Sequence, residues 1–247
     1  NSRDPFPGQN RKDRAVIVKN SFSLAFKDGA VGAWPICLGY VPIGLAFGVL
    51  AQKAGLSPLA TGLMSVLVFA GSSQFIGISM LAAGVAPGAI ILTTFMVNLR
   101  QMLMSSALAV FMGDAARRWL ALFAYGVTDE SFAINFVRVK EGHWDLTRAL
   151  ALNHTANLTW LLSTVAGGYG GHFVPPGALG IDYALVAMFI CLLVFQLRGR
   201  VYALTGIFSG ILAVGLALLL PGNAYIILAS AWGAGVGVFL KKGRKTT

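Results

Sequence analysis

The chain has 247 residues, 56% of them hydrophobic and only 11% charged, whereas a soluble domain carries about 25% charged residues. With a mean hydropathy of +0.73, this excludes a disordered tail, a collagen-like chain and a disulfide-rich secreted module. The formal charge is +10, of which +3 lies in residues 1–28 and +4 in residues 241–247. Basic ends suit cytoplasmic termini under the positive-inside rule. No basic stripe interleaves with aromatics, so nucleic acid is not an expected partner.

Ser2–Asn20 is polar and basic and lacks the apolar core of a signal peptide. Residues 1–28 read as a tail, residues 29–240 as one transmembrane transport domain, and residues 241–247 as a second, cytoplasmic tail. Uncharged runs of 46 residues (54–99), 33 (149–181) and 40 (201–240) each hold one or two crossings, because a span needs about 20 apolar residues. Eight apolar segments follow in chain order: Gly29–Ala51, Pro58–Ala83, Gly88–Met112, Trp119–Val137, Ala149–Gly168, Tyr183–Leu197, Val201–Leu220 and Ala224–Leu240. Turn chemistry separates them at Gly55-Leu56-Ser57-Pro58, Ala86-Pro87-Gly88, Pro175-Pro176-Gly177 and Pro221-Gly222-Asn223. Barrel strands would be about ten residues long and alternating, and open sheet cannot satisfy its backbone in lipid. The expected fold is therefore all-α: a polytopic integral membrane protein with both termini cytoplasmic. Arg117 and Arg118 fall on the outer side of this scheme, which makes one of segments two to four a candidate for a re-entrant or broken helix.

Gly44/Gly48, Gly206/Gly210 and Gly233/Gly237 have the four-residue spacing that lets helices approach closely. Tyr40, Gly44, Gly48, Leu50 and Ala51 are echoed at Tyr202, Gly206, Gly210, Leu212 and Ala213, either as an internal repeat or by chance in a Gly- and Leu-rich chain.

Function is sought where polar groups sit at membrane depth, because burying them there is costly. Pro35 and Pro42 kink or interrupt segment one. Gly71-Ser72-Ser73-Gln74 interrupts segment two. Four consecutive residues point to all sides of a helix, so they fit a local break facing a cavity, or else a small-residue packing patch. In segment three, Thr94, Asn98, Gln101 and Ser105 share one face and Arg100 points away from it, so Arg100 needs a partner or a helix break. Segment four places Thr128-Asp129-Glu130 at midspan. One acid can pair with Arg100, while the other binds a substrate ammonium or carries a proton. The alternative is a hydrated loop, Gly126–Glu130, between two half-helices. In segment five, Asn153, Asn157, Trp160 and Thr164 form a second polar stripe beside His154 and serve either as site residues or as helix–helix glue. Cys37 and Cys191 read as packing residues. His143, His154 and His172 have no ligand spacing, so neither a metal nor a cofactor is expected. No catalytic signature is present, and the chain does not read as an enzyme.

Gly39-Tyr40-x-Pro42-x-Gly44-x-Ala46-Phe47-Gly48, Ala70-Gly71-Ser72-Ser73-Gln74-Phe75, Asn98-Leu99-Arg100 and Asp129-Glu130-Ser131-Phe132, in this order, resemble the AzlC family, the large subunits of bacterial branched-chain amino acid exporters. The resemblance runs from about Gly29 to Leu240. It implies a multi-pass protein of the bacterial inner membrane that exports leucine, isoleucine, valine and methionine together with a small hydrophobic AzlD-type subunit. Many members carry His where this chain has Gln101. The expected function is a proton-coupled exporter of apolar amino acids. The N-terminus of a broken helix at Ser72, Ser73 and Gln74, or else Arg100, would face the substrate carboxylate and Asp129 or Glu130 the ammonium, with Asn98, Asn153 and Asn157 as further substrate- or ion-binding candidates. The competing expectation is a non-transporting scaffold or channel-like subunit whose buried charges are structural.

Overall fold

The computed structural model describes residues 11–113, 115–142, 144–173, 199–219 and 224–243, with scattered residues between 183 and 197. Among these residues the fold is helical and contains no strand. Segment six, Cys191, His143 and the loops around Pro176 and Gly222 lie wholly or largely outside the described residues.

Helix α1, Arg11–Gly32, starts within the stretch read as a tail and meets α2, Trp34–Lys53, at Ala33. Segment one is thus interrupted just before Pro35, which sits in the first turn of α2, where its missing N–H costs nothing. Pro42 lies inside a helix that continues past it. Gly55, at φ 92°, turns the chain into α3, Pro58–Leu67. Ser57 caps α3 by accepting from the Ala60 N–H at 3.2 Å.

Segment two does break, but three residues earlier than the polar tetrad suggests. Helix α3 stops at Leu67, Val68–Ala70 are non-helical, and α4, Gly71–Ala82, begins with Gly71-Ser72-Ser73-Gln74 as its first turn. Segment three is one continuous helix, α5, Pro87–Ala109. Segment four, Trp119–Val137, is not a single crossing but the weighed alternative, two half-helices: α6, Arg117–Tyr125, and α7, Asp129–Lys140. The reason is local. Thr128 is extended (φ −119°, ψ 176°) and its hydroxyl accepts from the Ser131 N–H, while Ser131 Oγ accepts from the Thr128 N–H at 2.9 Å. This reciprocal box starts a new helix rather than continuing the old one. Helices α8 (Leu146–Gly170), α9 (Arg200–Leu219) and α10 (Ala224–Gly243) follow, with a short 3₁₀ turn at Gly171–Phe173.

The half-helices have 10, 12, 9 and 12 residues, too few to cross a hydrocarbon core of about 30 Å at 1.5 Å per residue. Helices α5 and α8 are long enough but carry polar stripes. Among the described residues, two helices are both long and apolar enough to cross a membrane, α2 and α9. Helix α9 has no buried residue. Its 20 residues span about 30 Å.

The chain divides into two compact units at Ala70/Gly71 and at Asn98/Leu99. One holds α1–α3, the second half of α5 and α6–α8; the other holds α4, the first half of α5, α9 and α10. In the first unit, α8 packs against α1, α2, α3, α6 and α7. Small residues permit this. A Cβ on Gly48 would strike Thr164 O and the Gly167–Gly168 backbone, and one on Gly167 would strike Leu45 O. The Gly44/Gly48 pair therefore brings α2 against the α8 backbone. In the second unit, α9 packs on α10, with Gly233 facing Ser209 and Gly237 facing Thr205. The Tyr40/Tyr202 echo has no counterpart in packing. Tyr40 is buried and Gly48 is pressed on α8, whereas Tyr202 is exposed and, among the described residues, nothing lies within 4 Å of a Cβ on Gly210.

Candidate functional site

The polar groups of the first unit converge on its two interruptions. The α3 break strands carbonyls at the end of the helix, and a buried carbonyl left unsatisfied is costly. Two side chains supply donors. The Tyr125 hydroxyl donates to Val66 O at 2.5 Å, and Gln101 Nε2 makes a long 3.5 Å contact with Phe69 O. Tyr125 also packs its ring on Phe69, centroids 6.3 Å apart.

The second interruption, Gly126–Thr128, delivers Asp129 and Glu130 to the first turn of α7. The positive end of a helix dipole favours acids at this position. Asp129 Oδ2 meets Arg100 Nη2 at 2.8 Å, so the expected pairing of Arg100 with one midspan acid is made from a continuous α5. The pair is not sealed: the side chains are 33% and 24% exposed. Glu130 takes a different partner. The Tyr40 hydroxyl donates to Glu130 Oε2 at 2.8 Å and lies 2.9 Å from Thr128 Oγ1. Tyr40 is itself held by Trp160, edge to face at 5.2 Å, and by Phe69 at 6.3 Å. Trp160 stacks in turn on Phe47. Adjacent acids in the sequence are thus separated in role: Asp129 is neutralised by a cation, whereas Glu130 is positioned by a phenol and remains exposed.

The family model described as AzlC protein matches residues 35–174, which contain both interruptions. The chain belongs to the AzlC family. It is 30% identical over 227 residues to the branched-chain amino acid transport protein AzlC of Bacillus subtilis (strain 168), covering 88% of this chain and 86% of that one. It is also 30% identical over 166 residues to the inner membrane protein YgaZ of Escherichia coli (strain K12), with 66% and 68% covered. A membrane protein of Archaeoglobus fulgidus is 30% identical over 221 residues, covering 86% of this chain and 94% of the relative. No solved structure matches. The family and these relatives make this a membrane protein with a role in transport.

Within this AzlC-family chain, the residues singled out in the sequence fall into three groups. Arg100, Asp129 and Glu130 come together as described. Asn98 accepts from Ser73 Oγ at 2.5 Å within the second unit, and Ser72, Ser73 and Gln74 are buried on the first turn of α4. Asn153 is fully buried and tied into packing. It accepts from Asn135 Nδ2 at 2.9 Å and donates to Phe123 O at 3.3 Å, while Asn135 accepts from Trp144 Nε1 at 2.7 Å. Asn157 reaches Tyr125 Oη at 3.3 Å. Thr164 meets Ser65 at 2.8 Å. The stripe on α8 therefore faces the interior of the first unit. His154 stacks on Tyr125, and its Nε2 is buried with no hydrogen-bond partner among the described residues.

Tyr40 and Tyr125 are not among the site residues expected from the sequence, and Thr128 is singled out there only beside the two acids. The Thr128–Ser131 spacing was a readable capping signal. Nothing in local periodicity links residue 40 to residue 130.

Proposed function

We propose that this chain exports branched-chain, apolar amino acids across the bacterial inner membrane, driven by protons, together with a small AzlD-type hydrophobic subunit. In this reading the eight segments cross the bilayer, two of them as half-helix pairs, and both termini face the cytoplasm. The observation that carries it is the separation of charges at the α7 N-terminus. A zwitterion needs an anion for its ammonium and a cation for its carboxylate. Glu130 supplies the first and the Arg100 guanidinium the second, with Asp129 balancing Arg100 when the site is empty. An exposed acid at membrane depth is costly in lipid and is expected to face an aqueous path. The name of the Bacillus subtilis relative supports branched-chain amino acids as cargo. An apolar wall discriminates weakly between side chains differing by one methylene, so the substrate range is broad.

The scaffold reading has one observation in its favour: the Arg100–Asp129 pair satisfies itself. The two readings separate in cells challenged with a toxic leucine analogue. Expression of the chain with its small partner should confer resistance, and Glu130→Gln should lower it strongly, without eliminating it, at unchanged membrane abundance. Undiminished resistance in Glu130→Gln would remove Glu130 from the site.

A further inference from the structure

We propose that Tyr40 is the positioning residue for the substrate-binding carboxylate of Glu130. The inference rests on the proposed role of Glu130 and extends it to a residue on another helix.

Three observations carry it. The Tyr40 hydroxyl reaches Glu130 Oε2 at 2.8 Å while also lying 2.9 Å from Thr128 Oγ1, the residue that starts α7. The ring is buried and gripped on two sides, by Trp160 from α8 and by Phe69 from the α3 break. Helix α2, which carries Tyr40, is pressed backbone to backbone on α8 through Gly48 and Gly167. The phenol therefore projects from a rigid platform, and the exposed carboxylate it holds does not. Glutamate has three side-chain torsions and samples many rotamers when exposed. A hydrogen bond from a fixed donor selects one of them. Among the described residues one carboxylate oxygen is engaged, which leaves the other to meet an ammonium. Asp129 has no such phenol, being held by Arg100 instead. The ammonium subsite is thus pre-organised before substrate arrives, and pre-organisation lowers the cost of binding rather than altering the transported group.

The test is a double-mutant cycle in proteoliposomes containing the full chain and its small partner, with labelled leucine as the probe and thermal unfolding as the folding control. Tyr40→Phe keeps the ring and its packing while removing the hydroxyl. It should raise the half-saturation concentration for leucine about tenfold, the size expected for losing one hydrogen bond to a charged group, and leave the maximal rate within about twofold. In a Glu130→Gln background the same change should have little further effect, because the charge that Tyr40 positions for the ammonium has gone. Equal effects of Tyr40→Phe with and without the Glu130 carboxylate would overturn the proposal and make Tyr40 a packing residue. If Glu130→Gln impairs transport but Tyr40→Phe leaves half-saturation unchanged, this inference alone falls. If Glu130→Gln is itself silent, the proposed site falls and takes Tyr40 with it.

Discussion

Removing either member of the Arg100–Asp129 pair should destabilise the protein, and removing both should cost no more than removing one. The contact is 2.8 Å long, and its side chains are 33% and 24% exposed. Fully exposed pairs are worth about 0–1 kcal/mol, and stripping one partner from a fully buried pair costs about 3–5 kcal/mol. A half-buried pair falls between, at about 2 kcal/mol for each of Arg100→Gln and Asp129→Asn. Most of that loss is the charge left without its counter-ion. The double variant leaves no charge behind, so it should sit near the single variants, with a coupling of about 2 kcal/mol. The assay is equilibrium unfolding in mixed detergent micelles, followed by circular dichroism across the wild type, the two single variants and the double variant. Additive losses, near 4 kcal/mol in the double variant by the same estimate, would show that the two side chains do not act on each other and would refute the pairing.

Two further comparisons test the frame around the site. Gly48→Ala puts a methyl into the Thr164 and Gly167 backbone, whereas nothing among the described residues lies within 4 Å of a Cβ on Gly39 in the same helix. Gly48→Ala should therefore cost about 1–3 kcal/mol or abolish folded yield, and Gly39→Ala should be neutral; size-exclusion profiles in detergent read both. Asn153→Ala strips partners from Asn135 and Phe123 O and should cost about 1–3 kcal/mol in the same unfolding assay. Asn157→Ala loses one 3.3 Å contact at a partly exposed position and should stay within about 0.5 kcal/mol of wild type.

Much of this frame was legible in the sequence for definite reasons. Segments of unbroken apolarity became helices because lipid leaves the backbone no other partner. The Asn153 stripe fell on one face because helical periodicity alone decides that. The break in segment two was visible but misplaced. The polar tetrad at Gly71–Gln74 marks where the second half-helix begins, while the residues that actually unwind, Val68-Phe69-Ala70, are apolar and carry no local signal. The break in segment four was encoded in Thr128 and Ser131, two residues whose hydroxyls complete a box across one turn. Tyr40 was illegible as a site residue. A tyrosine in an apolar run reads as core, and its partner lies 90 residues away. Tyr125 was hidden for the same reason, since its hydroxyl answers a carbonyl freed in another segment.

The central claim is that this chain moves apolar amino acids at the expense of a proton gradient, and proteoliposomes test it most directly. Vesicles containing the chain and its small partner are loaded with labelled leucine and compared with and without an imposed pH gradient, alongside vesicles holding the chain alone. Leucine release should depend on the gradient and require the partner. Folded, reconstituted protein that releases no leucine under either condition would rule out proton-driven leucine export and return Arg100, Asp129 and Glu130 to a structural role.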